Sequence, residues 1–406
     1  MSLEGQPGAA PGGYAAGLDA DLYGFAERLT STEQSVLEEL HAVLQAEVRP
    51  RLAEAWDSAR LPEALTAPLT RLRLMDPPAL ARAGEPLREI MRGFISFEIA
   101  RCDLSVATWF NAQASLFRTL CRIGGDPETA AELDQRIRSY ELTGVFALTE
   151  PGHGSDVARG LSTTAARSPD GTGWILDGAK RWIGGADRAD VLATFARDAE
   201  GGRIRCFLVP REAPGVDVRV IRHKASLRIM QNAEIRYERV EVPDDARLPG
   251  IDGFADVSRC LRRMRSDVAW MAVGAMAGAY EAALRQVGGR EQFGRPLAGF
   301  QLIQEKIARM LGQLTGSLAL VVRLTEQQQD GIYREETSAL AKMQTALALR
   351  DVVALAREVC GGDGITLESD VARFHADAEA VYSYEGTHEI NALLVGRAVT
   401  GHSAFV

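Results

Sequence analysis

Val36, Leu40, Val43 and Leu44 share one face of a 3.6-residue helix, and the run Ser31-Thr-Glu-Gln34 before them has the form of a capping box. The helical period continues from about Asp19 to Ser139, with further helices expected over 87–102 and 115–123. Pro77-Pro78 and Gly124-Gly125-Asp126 punctuate it. Near Gly144 the character changes. Segments 144–148, 174–177, 191–196, 205–209 and 234–242 are short, rich in apolar, aromatic or β-branched residues, and separated by Asp-Gly, Gly-Gly and Pro-Gly turn signals. They predict a small antiparallel β domain. Beyond Gly253 long helical patterns return: Ile303, Ile307, Met310 and Leu314 share a face, and 338–357 is Ala-rich without proline or glycine. The predicted class is α+β. Residues 1–18 read as a flexible tail, 19–143 as a helical domain, 144–252 as the β domain and 253–406 as a second helical domain.

A chain of 406 residues exceeds what one hydrophobic core usually organises, in keeping with several domains. Its 46 basic and 55 acidic residues leave a net charge of −9, which disfavours non-specific nucleic-acid binding. Five scattered cysteines, with no CxxC pair, read as reduced thiols and not as a disulfide frame or zinc site. No apolar run approaches the roughly 20 residues of a membrane span, and the Gly/Ala/Pro-rich start lacks a signal pattern. The expectation is a soluble, cytoplasmic protein.

Four segments carry candidate chemistry. Phe146-Ala-Leu-Thr-Glu-Pro-Gly-His-Gly-Ser-Asp156 runs from a strand into a Gly-rich loop bearing the hydroxyls of Thr149 and Ser155. Backbone N–H groups there can approach a ring edge or a pyrophosphate, although the same pattern also suits a strand-ending turn. Ala179-Lys-Arg-Trp-Ile-Gly-Gly185 offers Trp182 either as a flat face for a planar cofactor or as a core residue. Arg290-Glu-Gln-Phe-Gly-Arg-Pro-Leu-Ala-Gly-Phe-Gln301 brackets a glycine with two arginines and Phe293, which suits a phosphate beside an adenine and equally a solvated loop. Glu358-Val-Cys-Gly-Gly-Asp-Gly-Ile365 is followed by Tyr382-Ser-Tyr-Glu-Gly-Thr-His-Glu-Ile390. There Glu385 lies between an aromatic wall, which raises a carboxyl pKa, and a glycine that admits substrate to the backbone, although an acidic residue in a turn, read alone, more often belongs to solvated structure.

In this order and across this layout, the four segments resemble the acyl-CoA dehydrogenase family over residues of about 20 to 406. The ending from Tyr384 to Gly401 most resembles the glutaryl-CoA dehydrogenase branch. Lys180-Arg-Trp-Ile-Gly184, Leu227-Arg-Ile-Met-Gln-Asn232 and Arg247-Leu-Pro-Gly250 are also similar to plant peroxisomal short-chain acyl-CoA oxidases. The resemblance implies an N-terminal helical domain, a central β domain and a C-terminal four-helix bundle, with FAD between the last two. It also implies a homotetramer or dimer in which a neighbouring subunit contributes to each FAD site. By matched position, Phe146, Leu148 and Thr149 should line the flavin ring, Trp182, Ile183 and Gly184 should adjoin it, and Ser155 should contact cofactor or CoA. Arg290, Phe293, Gln301 and the run Glu358, Val359, Cys360, Gly361, Gly362 should bind the FAD of a neighbouring subunit, and Thr387 and Glu389 should face the cofactor. Ala107, Thr108, Asn111, Arg265, Tyr384 and Gly386 should line the substrate.

The implied chemistry is removal of the α-proton of an acyl-CoA by Glu385 while the β-hydrogen leaves as hydride to flavin N5, giving a trans-2-enoyl-CoA. The Glu385 N–H would help to hold the thioester oxygen. Two departures from the family pattern matter. Gly184 stands where dehydrogenases of the family commonly carry threonine, which leaves both an electron-transfer flavoprotein and O2 as acceptors. Aligned on Arg101-Cys-Asp103 and Gln113, Ala107 replaces the arginine that binds the distal carboxylate of glutaryl-CoA, with Asn111 at a nearby serine. A buried carboxylate without a cation is costly, so a short or branched acyl chain is expected and glutaryl-CoA is not.

Overall fold

The structure is a computed structural model that describes residues 13–405. Helices α1 (Ser31–Val43), α2 (Leu52–Ser58), α3 (Glu63–Leu72), α4 (Pro78–Ala83), α5 (Glu89–Cys102), α6 (Leu104–Asn111), α7 (Arg118–Gly124) and α8 (Pro127–Arg138) build the N-terminal domain. The capping box of α1 is present but one residue earlier than the Ser31–Gln34 pattern: Thr30 accepts from the Glu33 N–H, and the Glu33 carboxylate accepts from the Thr30 N–H. The expected tail of residues 1–18 is corrected at its C-terminal end. Residues 1–12 lie outside the described residues, whereas Tyr14 and Leu18 are buried and the Tyr14 hydroxyl donates to Glu98 at 2.7 Å. The expected helix over 115–123 begins instead as a π-helical turn, Ala112–Phe117, continuous with α6 and α7.

The middle domain is a seven-stranded sheet of β1 (Gly144–Ala147), β2 (Thr164–Arg167), β3 (Gly173–Gly184), β4 (Val191–Asp198), β5 (Ile204–Pro210), β6 (Val216–Val220) and β7 (Asn232–Pro243), with the short α9 (Val157–Gly160) inserted. Their order is β1-β4-β2-β3-β7-β6, with β5 on β4. The sheet is mixed, not purely antiparallel as expected. β1 and β2 both pair with β4 in parallel, because the Gly-rich loop and α9 carry the chain across the sheet instead of reversing it in a hairpin. One face encloses its own core around Trp174, Leu176, Ile183 and Tyr237, while Leu148, Ala193 and Phe195 join the larger core shared with the helices.

The C-terminal domain comprises α10 (Phe254–Gly289), α11 (Gln301–Gln329), α12 (Glu335–Cys360), α13 (Asp370–Ser383) and α14 (His388–Thr400). The apolar face foreseen for α11 is present, with Met310 and Leu314 fully buried. α11 is also long and apolar enough by composition to cross a membrane, yet it packs against α10 and α12 and exposes Arg309 and Arg323. Two glycines let α10 approach α5 at backbone distance: a Cβ on Gly274 would stand 2.1 Å from the Phe97 carbonyl oxygen, and one on Gly278 2.3 Å from that of Arg101. Trp270 fills the same seam against Phe94 and donates to Thr325 Oγ1 at 2.8 Å. Losing an indole of this kind costs about 3–5 kcal/mol. This close crossing fixes α6 and the first half of α10 beside the loop that follows α13.

Candidate active site

α13 ends at Ser383 and α14 begins at His388, leaving a tight loop between them. Glu385 and Gly386 both have positive φ, 53° and 83°, a left-handed pair that only glycine adopts without strain. The turn aims the Glu385 side chain inward. Its residue surface is partly open, but Oε2 is fully enclosed and has no hydrogen-bond partner. Burial pushes the carboxyl up to about 7; Arg265 and Lys342 pull against that shift, and Asp267 adds to it. Its backbone N–H forms no hydrogen bond with the described residues. A carboxylate poised near neutrality beside a free N–H donor is the equipment for abstracting a proton next to a carbonyl.

The loop is braced from α12. Lys342 is fully buried, and its ammonium donates to the Tyr382 carbonyl at 3.1 Å and the Gly386 carbonyl at 2.8 Å. Burial lowers Lys342 to about 8, opposed first by Glu385. Asn391 Nδ2 also donates to the Gly386 carbonyl at 2.8 Å, and Thr387 caps α14 by accepting from the Ile390 N–H. Arg265 on α10 is buried, its Nη1 3.5 Å from Glu335 Oε1, and Glu335 is shared with Arg397 at 2.7 Å. Toward α6, the enclosed Tyr384 hydroxyl faces Thr108 without completing a hydrogen bond. Ala107 and Asn111 are buried on the same helix.

The flavin-type segments have their own anchor. Lys180 on β3 is fully buried and donates to Glu150 at 2.8 Å and to the Leu148 carbonyl at 3.1 Å. Glu150 also accepts from the N–H groups of Ser162 and Thr163. Against the burial that would raise it, Lys180 and these donors bring Glu150 down to about 2. The pair pins the Gly-rich loop that carries Ser155 to the strand that carries Trp182. Ser155 itself is exposed, and Thr149 is half-buried with its carbonyl accepting from the Arg181 N–H at 2.8 Å. Phe146 packs on Phe195 with ring centroids 4.7 Å apart, and Leu148 is buried. Trp182 is half exposed at φ 65°, with the Arg181 guanidinium 4.9 Å over its ring.

Some of the expected cofactor residues turn their side chains elsewhere. Ile183, Val359 and Cys360 are buried in cores, so only their backbones remain for a ligand. Glu358 pairs with Lys306 and Glu389 accepts from the Tyr382 hydroxyl at 3.3 Å; both are exposed. Arg290 pairs with Asp363 at 2.9 Å, which brings the third and fourth segments together, while Phe293 is 94% exposed and Gln301 is exposed. A Cβ added at Gly152, Gly154, Gly361 or Gly362 would meet nothing within 4 Å. Open glycines, an exposed indole and an exposed phenyl ring fit a large planar, phosphate-bearing cofactor such as FAD.

Sequence reasoning missed Lys342, Lys180 and Glu150. It also passed over Asp377 on α13, which accepts from the Leu227 N–H at 2.6 Å and from Ser105 at 3.2 Å and so joins all three domains. The one signal available was a lone charge inside an otherwise apolar run, at Lys342 among alanines.

The fold and this site define a class of flavin-dependent oxidoreductase, and comparison with known proteins says which. The profile of "Acyl-CoA dehydrogenase, middle domain" matches residues 145–240, and that of "Acyl-CoA dehydrogenase, C-terminal domain" matches residues 252–400. The short-chain specific acyl-CoA dehydrogenase of Bos taurus mitochondria is 31% identical over 385 residues, covering 91% of this chain and 92% of the relative. The crystal structure of glutaryl-CoA dehydrogenase from Mycobacterium smegmatis superposes with a TM-score of 0.87 at 33% identity, covering 95% of this chain and 98% of that one. A second Mycobacterium smegmatis glutaryl-CoA dehydrogenase structure, in complex with FADH2, gives a TM-score of 0.85 at 30% identity over 94% and 97% of the two chains. The chain belongs to the acyl-CoA dehydrogenase family. Its cofactor is FAD, and it is an oxidoreductase acting on acyl-CoA.

Proposed function

We propose that this enzyme converts a short or branched acyl-CoA, not glutaryl-CoA, to the trans-2-enoyl-CoA, with Glu385 as the base. The observation that carries the reading is the enclosed, unpartnered Glu385 Oε2 on a left-handed residue whose own N–H is free. Oε2 takes the α-proton, and the Glu385 N–H donates to the thioester oxygen as charge develops on it. Residues of the Gly-rich loop and β3, with Trp182, would hold FAD, which would supply the acceptor for the β-hydride. Arg265 and Lys342 hold the carboxyl ionisable in a desolvated site, and Lys342 fixes the turn that aims it. Ala107 offers no cation to a distal carboxylate, which argues against glutaryl-CoA. Exposed Phe293, Leu302 and Ile365 on the C-terminal domain support assembly as a homotetramer or dimer.

The electron acceptor in this proposal is an electron-transfer flavoprotein. One observation favours O2 as a second reading: position 184 has no side chain, and Met230 Cε stands 2.5 Å from where a Cβ would be, so no hydroxyl shields the flavin edge there. Anaerobic addition of butyryl-CoA should bleach the bound flavin, and its failure to do so would refute the proposal. Rapid peroxide formation in air without another acceptor would favour the oxidase.

A further inference from the structure

Arg265 on α10 is 5% exposed, and its Nε and Nη1 are enclosed without a hydrogen-bond partner. A guanidinium so far from water needs a counter-charge close by. Two carboxylates compete for that place, Glu335 and Glu385. Nη1 lies 3.5 Å from Glu335 Oε1, whereas Glu385 forms no ion pair among the described residues. Burial lowers Arg265 from its ordinary value; Glu335 opposes that first and Glu385 next.

Glu335 is itself held in place. It opens α12, where Ser258 of α10 donates to its Oε1 at 3.1 Å and Arg397 of α14 pairs with its Oε2 at 2.7 Å. Lys342 stands seven residues on, two turns along the same face. One side of α12 therefore serves the proton acceptor twice. Lys342 fixes the loop that carries Glu385, and Glu335 occupies the arginine near it. Of the other charges, Arg262 of α10 acts on Arg265, Asp267 of α10 acts on Glu385, and Glu389 of α14 acts on Lys342. Asp267 is engaged by Ser115 and Arg92, so without Glu335 the acid left to Arg265 is Glu385. An ion pair of that kind would hold the carboxylate ionised and weaken it as a base, since an opposite charge close by moves a carboxyl down by about 1–3 pKa units.

We propose that Glu335 is a positioning residue for the reaction: it claims the Arg265 guanidinium and so leaves Glu385 Oε2 unpaired and able to take a proton. The inference rests on the reading of Glu385 as the base. Each FAD-loaded enzyme is mixed anaerobically with butyryl-CoA, and the rate of flavin bleaching is followed from about pH 5 to about pH 9. The wild-type rate should rise through about 7. Glu335→Gln keeps the shape of the side chain and removes its charge, and its midpoint should fall by about one pH unit. Glu335→Asp, which restores the charge, should bring the midpoint back toward wild type. A merely structural tie between the three helices would slow bleaching at every pH without moving the midpoint. An unchanged or raised midpoint in Glu335→Gln overturns the inference, as does a Glu335→Asp midpoint as low as that of Glu335→Gln. Should Glu335→Gln not fold, Arg397→Met decides: it leaves Glu335 to Arg265 and should raise the midpoint, and a midpoint unchanged or lowered overturns the inference. A rise that depends on Glu385 and ignores Glu335 removes only this inference. No bleaching by butyryl-CoA, or a rise that survives Glu385→Gln, removes the reading of Glu385 with it.

Discussion

Replacing Lys342 with methionine separates the two jobs assigned to this buried ammonium. The variant keeps the length of the side chain and removes the charge. Of the two carbonyls it serves, Gly386 retains Asn391 at 2.8 Å, while Tyr382 loses its side-chain donor. One orphaned buried acceptor costs about 1–3 kcal/mol, offset in part because the ammonium no longer has to be desolvated. The effect on Glu385 has a definite sign. Lys342 pulls the Glu385 carboxyl down from where burial would put it, so without Lys342 the base ionises at higher pH. A lost coupling of about 1.4 kcal/mol moves the midpoint by about one pH unit, so that at pH 7 the ionised fraction drops from about a half to about a tenth. Stopped-flow flavin bleaching from about pH 6 to about pH 9 should show the ascending limb displaced upward, with the pH-dependent part of the loss recovered at the alkaline end. Any loss that persists there measures the disturbed loop. A rate and midpoint indistinguishable from wild type would refute the reasoning.

Other perturbations test the supports of the site. Glu150→Ala leaves the Lys180 ammonium buried without its carboxylate, and should cost about 3–5 kcal/mol in denaturant unfolding and reduce FAD retention. Gly184→Ala drives a methyl against Met230 Cε, an overpacking of about 1–3 kcal/mol that the double variant with Met230→Ala should relieve in thermal unfolding. Burial, reinforced by Asp103, raises Asp377, and burial raises Glu385 to about 7. Both acids bind protons in the folded state that the unfolded chain releases near pH 4. Stability should therefore fall as pH rises from about 4 to about 7, and Asp377→Asn should flatten that slope in unfolding curves.

The helical domains could be read from the sequence because long runs such as 338–357 combine strong helix formers with no breaker, and the structure extends that run to Glu335–Cys360. The capping box was misplaced by one residue because Thr30–Glu33 and Ser31–Gln34 both satisfy the same pattern, and only backbone geometry chooses between them. Strands β2 and β6 escaped notice: β2, Thr-Ala-Ala-Arg, is four residues long without alternation, whereas β6, Val-Asp-Val-Arg-Val, does alternate and was passed over as a five-residue run. The parallel pairing of β1 and β2 with β4 depends on where the connections run, which local pattern does not encode. At the site, Glu385 stands out through the order of the four segments and the family resemblance they carry; its neighbours Tyr384 and Gly386 alone would leave it a solvated turn residue. The source of its raised pKa does not stand out, since that comes from burial, opposed by charges more than forty residues away in sequence, at Arg265 and Lys342. A single lysine in an alanine-rich helix reads as solvated, and only the helix packing turns it inward.

The most direct trial of Glu385 as the proton acceptor is anaerobic mixing of Glu385→Gln with an acyl-CoA that bleaches the wild-type flavin, each at matched FAD content. The wild-type rate should rise with pH through about 7 as the carboxyl ionises. The amide variant, holding FAD equally well, should be slower by about 10²- to 10⁴-fold at every pH. Bleaching of Glu385→Gln at the wild-type rate would contradict the account.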